Sequence, residues 1–113
     1  MSNIKLERLN SSIQREVSLI LANEMKDRQI QFVTVTAVKT AGDLSSCKIY
    51  VTILDKDRRE ETMSTLKNAK GFVRSSLAGR LDIRHVPEID FVYDESIEYG
   101  MKIEEKIKEI HDN

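Results

Sequence analysis

The order of hydrophobic patterns predicts an α+β fold, a three-stranded mixed sheet with helices packed on one face. Three observations predict it. Residues 4–25 carry one apolar stripe at helical spacing, residues 31–54 hold two alternating stretches around a short turn, and residues 88–94 alternate again after a long helical segment. Two strands joined by a short connection pair antiparallel, whereas a strand reached through a helical crossover pairs parallel with its neighbour. The combination gives a mixed sheet.

The first helix is set by Leu6, Leu9, Ile13, Val17 and Ile20, spaced three or four residues apart and therefore on one side. Lys5, Arg8, Ser12 and Arg15 share another side. The first strand follows in QFVTVTAVKT, where Val33, Val35 and Ala37 alternate with Thr34 and Thr36. Ala41-Gly42-Asp43 supplies turn chemistry. In CKIYVTIL, Cys47, Ile49, Val51 and Ile53 point one way and Lys48, Tyr50 and Thr52 the other. Cys47 thus continues an apolar face and reads as a small core residue, not a nucleophile. The open face of the sheet is expected to display Thr34, Thr36, Lys48, Tyr50 and Thr52.

DRRE, residues 57–60, matches a capping box with Asp57 as N-cap and Glu60 as its partner, opening a helix that runs to about Asn68. Val73, Leu77 and Leu81 carry a second helical pattern onward until Val86-Pro87, because the residue before proline is driven towards extended geometry. EIDFVYD alternates Ile89, Phe91 and Tyr93 with Asp90, Val92 and Asp94 as the third strand. Ile103, Ile107 and Ile110 mark a terminal helix whose other face is mostly Glu and Lys. A single domain over 1–113 is expected, with its core in about 1–95 and a helical tail over 96–113.

Bulk composition narrows the function classes. At 40 % hydrophobic and 33 % charged residues, the chain suits a small soluble globule with a thin core. No apolar run approaches bilayer length, and MSNIKLERLN lacks the apolar stretch of a secretory signal. One cysteine closes no intrachain disulfide. A cytoplasmic, monomeric protein with no membrane partner is expected. No Gly-rich phosphate loop, HExxH or CxxC occurs. His85 and His111 are the only imidazoles, and His111 stands where chains fray. Asp90, Asp94 and Glu95 gather near a strand end, an acidic cluster of the kind that binds a metal or works as acid and base, but such carboxylates more often cap the following helix, with Ser96 as a further cap. No catalytic residue, metal, cofactor or small-molecule substrate is assigned, and the chain is expected not to be an enzyme.

The net charge of −1 hides an uneven distribution. Residues 67–85 hold five bases and one acid, a charge of +4, and residues 86–113 hold nine acids and three bases, a charge of −6. This fits a polyanion-binding face balanced by an acidic tail, or equally a solvated helix face beside an acidic helix. Gly71 lies inside the basic stretch, although an interior helical glycine costs about 0.8–1 kcal/mol relative to alanine. Ala69-Lys70-Gly71 is therefore expected to be a kink between two helices. The missing side chain either lets another backbone approach or packs Gly71 beneath the first helix. Lys67, Lys70 and Arg74 cluster on one side of the kink, and a helix start there adds amide donors that favour phosphate. Gly79, in LAGR, carries no assigned role.

Helix-strand-strand-helix-kink-helix-strand is the order of type II KH domains, RNA-binding modules that grip the backbone through a GXXG loop between paired helices. Glycines stand only at 42, 71, 79 and 100, so no GXXG occurs; Ala69-Lys70-Gly71 stands in its place. With VTVTAV, KIYVTIL, NAKGFVRSSLAGRLDIRHVPEIDFVYDES and GMKI, the sequence resembles the ribosome-binding factor A family over nearly its full length. LAGRLDIRHVPEIDFVYD is the more specific part of the match. The resemblance implies a KH-like factor that binds free 30S ribosomal subunits and 16S rRNA and assists late 30S maturation. It also implies a part in processing the 16S rRNA 5′ end and an association with growth in the cold.

Lys70, Gly71, Arg74, Arg80 and Arg84 are the expected RNA-binding residues, with Lys67, Arg8 and Arg15 in support. Arg80 and Arg84 are one turn apart on the expected helix and so could reach adjacent phosphates. The alternative is a generic KH-type binder of single-stranded RNA. That class leans on stacking platforms, and the basic stretch offers only Phe72, which the helical pattern allows the core to bury. A protein-only interaction module, using the open sheet face and the acidic tail, is a third reading.

Overall fold

The computed structural model describes residues 4–96. Helix α1 (Ile4–Asn23) is followed by strands β1 (Val33–Thr40) and β2 (Ser46–Ile53), helices α2 (Arg59–Asn68) and α3 (Lys70–Ala78), and strand β3 (Glu88–Tyr93). Short 3-10 turns at Arg28–Phe32 and Lys56–Arg58 connect them. The expected terminal helix, with Ile103, Ile107 and Ile110, lies outside the described residues. The strand order is β1-β2-β3, antiparallel between β1 and β2 and parallel between β2 and β3. This is the mixed sheet that a hairpin plus a helical crossover demands, in the element order of a type II KH domain.

Central strand β2 sends Cys47, Ile49, Val51 and Ile53 inward. Ile89 and Phe91 join them from β3, and Ile13, Val17, Leu66, Val73 and Leu77 come from the three helices. The three helices among the described residues therefore feed one core on one side of the sheet. Burial pushes the Cys47 thiol up to about 11, as befits an unreactive core residue.

Strand β1 departs from strict alternation. Its register slips between Val35 and Ala37, leaving Thr36 as an extra residue, so burial passes from Val35 to Val38 and Thr40 instead of to Ala37. Two polar side chains of α1 fix this irregular strand. Gln14 Nε2 donates to the Val35 carbonyl at 3.2 Å, and Asn10 Oδ1 accepts from the Thr40 amide at 3.0 Å and its hydroxyl at 2.6 Å. On the open face stand Thr34, Lys48, Tyr50 and Thr52, and the slipped register adds Lys39, whose ammonium lies 5.6 Å from the centre of the Tyr50 ring.

Two helix boundaries differ from the sequence-based expectation. Helix α2 has no side-chain cap, so the Asp57–Glu60 capping box does not form. Asp55 takes that role two residues earlier, its carboxylate accepting from the Asp57 amide at 3.1 Å to start a 3-10 turn. Helix α3 stops at Ala78, well before Val86-Pro87. The Leu77 carbonyl closes it by accepting from both the Arg80 and Leu81 amides at 2.9 Å. Leu81 still packs against the core, but from a loop, which is why its apolar spacing reads as a longer helix.

Candidate RNA-binding surface

Helices α2 and α3 meet at one residue. The Ala69 amide donates to the Thr65 carbonyl at 3.0 Å and to Leu66 at 3.1 Å, ending α2, and the Ala69 carbonyl accepts from Val73 at 3.0 Å, starting α3. No side chain caps α3. Its first amides therefore have no side-chain partner at the bend. Gly71, the second residue of α3, is exposed, and a Cβ added there would find no heavy atom within 4 Å. It is neither a packing glycine beneath α1 nor a point where another segment of the described chain comes close.

Lys70 and Arg74 flank Gly71 on the side of β3, where with Glu88 and Ile89 they border a cavity of about 150 Å³. Arg74 is partly committed: Nε and Nη2 donate to the Val86 carbonyl at 3.1 and 2.9 Å, tying α3 to the segment ahead of Pro87. Arg74 as a whole is exposed, and its guanidinium keeps donors beyond those two bonds. Lys67, on the last turn of α2, is exposed, and neither Lys67 nor Lys70 enters an ion pair among the described residues. These four residues are the part of the expected site that the fold brings together.

The other expected cations are placed differently. Arg80 lies beyond α3 and turns back to α1, with Nη1 3.1 Å from Glu16 Oε2 and Nη2 2.6 Å from Glu24 Oε1. Those two carboxylates raise its hold on the proton, Glu16 first. Glu16 also receives Arg15 Nε at 3.5 Å. Arg84 is exposed in the loop before β3, so the one-turn spacing expected between Arg80 and Arg84 does not exist. Arg8 and Arg15, seven residues apart, lie within about 20° of each other around α1, opposite its buried Ile13 and Val17. Asp94, weighed as an acid–base candidate, instead binds the Ser96 amide and hydroxyl through Oδ1 at 2.9 and 2.6 Å.

One aromatic stands elsewhere than the core burial that the helical pattern allows. Phe72 is 49 % exposed, not a core residue, and overlooks a cavity of about 320 Å³ against Met25, Ile30 and Thr65. The signal was available: Phe72 stands about 100° around the helix from Val73, off the Val73–Leu77 stripe.

A family profile described as Ribosome-binding factor A matches residues 5–107. The chain belongs to the ribosome-binding factor A family. A ribosome-binding factor A of Staphylococcus epidermidis is 43 % identical over 114 residues, covering 100 % of this chain and 98 % of its own. The crystal structure of the Thermus thermophilus ribosome-binding factor A superposes with a TM-score of 0.73 at 22 % identity, over 80 % of this chain and 97 % of that one. A Thermus thermophilus ribosome-binding factor A fitted into a cryo-EM map of a 30S complex superposes with a TM-score of 0.65 at 21 % identity, over 78 % and 93 % of the two chains. At those identities the two structures speak for the fold, while the profile and the close relative carry the membership.

Proposed function

We propose that this chain is a small-subunit assembly factor that binds free 30S subunits by gripping 16S rRNA at the α2–α3 bend. The observation that carries this reading is the pairing of solvent-facing cations with an open backbone: Lys67 and Lys70, unpaired among the described residues, beside a Gly71 with no neighbour over it. Lysine ammoniums and uncapped helix amides suit phosphate, and a glycine lets a sugar-phosphate chain come close. Arg74 adds the donors not committed to Val86, and Arg84, Arg8 and Arg15 supply supporting charge. Arg80 reaches RNA only by leaving Glu16 and Glu24. A related factor has been placed in a map of a 30S complex, which supports the choice of partner. Late maturation, with 5′-end processing of 16S rRNA and growth in the cold, belongs to the same reading, as does a monomer acting in the cytoplasm.

The test is co-sedimentation with purified 30S subunits over a series of salt concentrations for the parent chain, Lys67→Ala and Lys70→Ala. Each lost phosphate contact should make the log–log salt slope shallower by about 0.7–0.9. Unchanged slopes in both variants overturn the assignment. Tighter binding to unstructured oligonucleotides than to subunits would favour the generic single-stranded reading, to which the exposed Phe72 lends its one support.

A further inference from the structure

The cavity beneath Phe72 lies on the opposite flank of α3 from Lys70 and Arg74. Around the helix, Arg74 is about 40° from Lys70, Gly71 about 100°, and Phe72 about 200°. Gly71 therefore stands between the cationic flank and the aromatic one. Ser75 and Ala78 continue the same outer line, and all three residues are exposed and small. Among the described residues of α3, no side chain longer than a serine's stands on that line to obstruct an RNA strand crossing it.

Resting on the RNA-binding reading above, we infer that one nucleobase, turned out of its stack, enters the Phe72 cavity while its backbone crosses Gly71 to Lys70. The cavity has the chemistry for a base. Phe72 offers a half-exposed ring and Met25 a polarizable wall, with the fully buried Ile30 beneath them. Its volume of about 320 Å³ falls at the lower end of the range of roughly 300–1,000 Å³ found for small-molecule sites. Charge orders the two ends of the nucleotide. Lys67 and Lys70 beside the bend attract phosphate, while the cavity rim, with Asp27 beside Lys26 and Glu24 paired to Arg80, adds no net positive charge to hold one. Glu24 Oε1 already accepts from Arg80 and Asp27 Oδ1 from the Gln29 amide, which leaves each carboxylate its second oxygen to accept from the exocyclic amino groups of adenine, cytosine and guanine; uracil has none. The base goes in and the phosphate stays out.

Two measurements on the full chain test this. In the first, the four nucleoside 5′-monophosphates and ribose 5-phosphate are titrated while NMR follows the Phe72 ring and the Met25 and Ile30 methyl groups. The expected result is base-dependent ring-current shifts, weakest for uridine monophosphate, absent with ribose 5-phosphate, and lost in Phe72→Leu. Thr65→Leu, which fills the cavity and leaves Phe72 in place, should lose them too and guards against misfolding of the first variant. In the second, Phe72→Leu should bind 30S subunits about tenfold more weakly with an unchanged salt slope, because a stacking contact is lost and a phosphate contact is not. Shifts that ribose 5-phosphate reproduces overturn the inference. So does Phe72→Leu binding subunits like the parent while the Lys67 and Lys70 variants still flatten the salt slope, an outcome that leaves the RNA-binding reading standing. Weakened subunit binding without base-dependent shifts also overturns it and assigns Phe72 to a ribosomal protein.

Discussion

Asp94 accepts from the Ser96 hydroxyl at 2.6 Å, the Ser96 amide at 2.9 Å and the Thr36 hydroxyl at 2.6 Å. Ser96 and Thr36 hold its carboxyl below the ordinary value of 3.8, with a smaller contribution from the charge of Lys39. The Thr36 contact exists because the extra residue of β1 turns its hydroxyl towards the segment following β3, so one carboxylate ties both edges of the sheet together. A group whose folded pKa is depressed stabilises the fold above its unfolded pKa and loses that contribution as the pH falls through the folded one. Asp94→Ala is therefore expected to lower the unfolding free energy at neutral pH by about 1 kcal/mol, modest because solvent screens a partly exposed group. The gap to the parent should narrow as the pH drops below 3.8. Urea denaturation across that range measures it, and a gap that stays constant with pH denies the charge its role.

At the scale of the element, Gly71 sets stability against function. It has helical neighbours, negative φ and empty space where a Cβ would go. Gly71→Ala is expected to stabilise the fold by about 0.5–1 kcal/mol and to raise the melting temperature by a few degrees, since each kcal/mol moves a domain of this size by about 4–8 °C. The same methyl group stands where the RNA backbone is proposed to pass, so 30S affinity should fall while stability rises. A variant that gains stability and keeps full affinity shows that nothing approaches Gly71. The bend was legible in the sequence because a glycine inside a basic helical pattern is locally inconsistent with a plain helix. Strand β2 was legible because a central strand with one buried face must alternate. The slip at Thr36 was not, since the side chains that settle it, Gln14 and Asp94, are distant in sequence. The end of α3 was hidden by Leu81, whose burial from a loop mimics helical spacing. The engagement of Arg80 with Glu16 and Glu24 was equally invisible, because nothing local links residues 64 and 56 positions apart.

Across the whole molecule, stability and binding are allotted to different layers. Strand β2 is paired on both sides, and Ile49 and Val51 are fully buried. Their amides should exchange with solvent deuterium only through global unfolding. The amides of Lys70, Gly71 and Phe72 open α3 without a side-chain cap, so they should exchange from the folded state. This division lets the bend adjust to a partner while the sheet holds register. Hydrogen exchange followed by mass spectrometry, with and without 30S subunits, separates the two layers. Subunits are expected to slow exchange in the peptide spanning the α2–α3 bend and to leave the peptide of β2 unchanged. Slowing along β1 and β2 with an unaltered bend would instead make the open sheet face, with Lys39, Lys48 and Tyr50, the docking surface and favour the protein-only reading. The bend is expected to respond because it combines uncapped amides, lysines unpaired among the described residues and a backbone without a side chain, whereas the Lys39 ammonium on the sheet already sits over Tyr50.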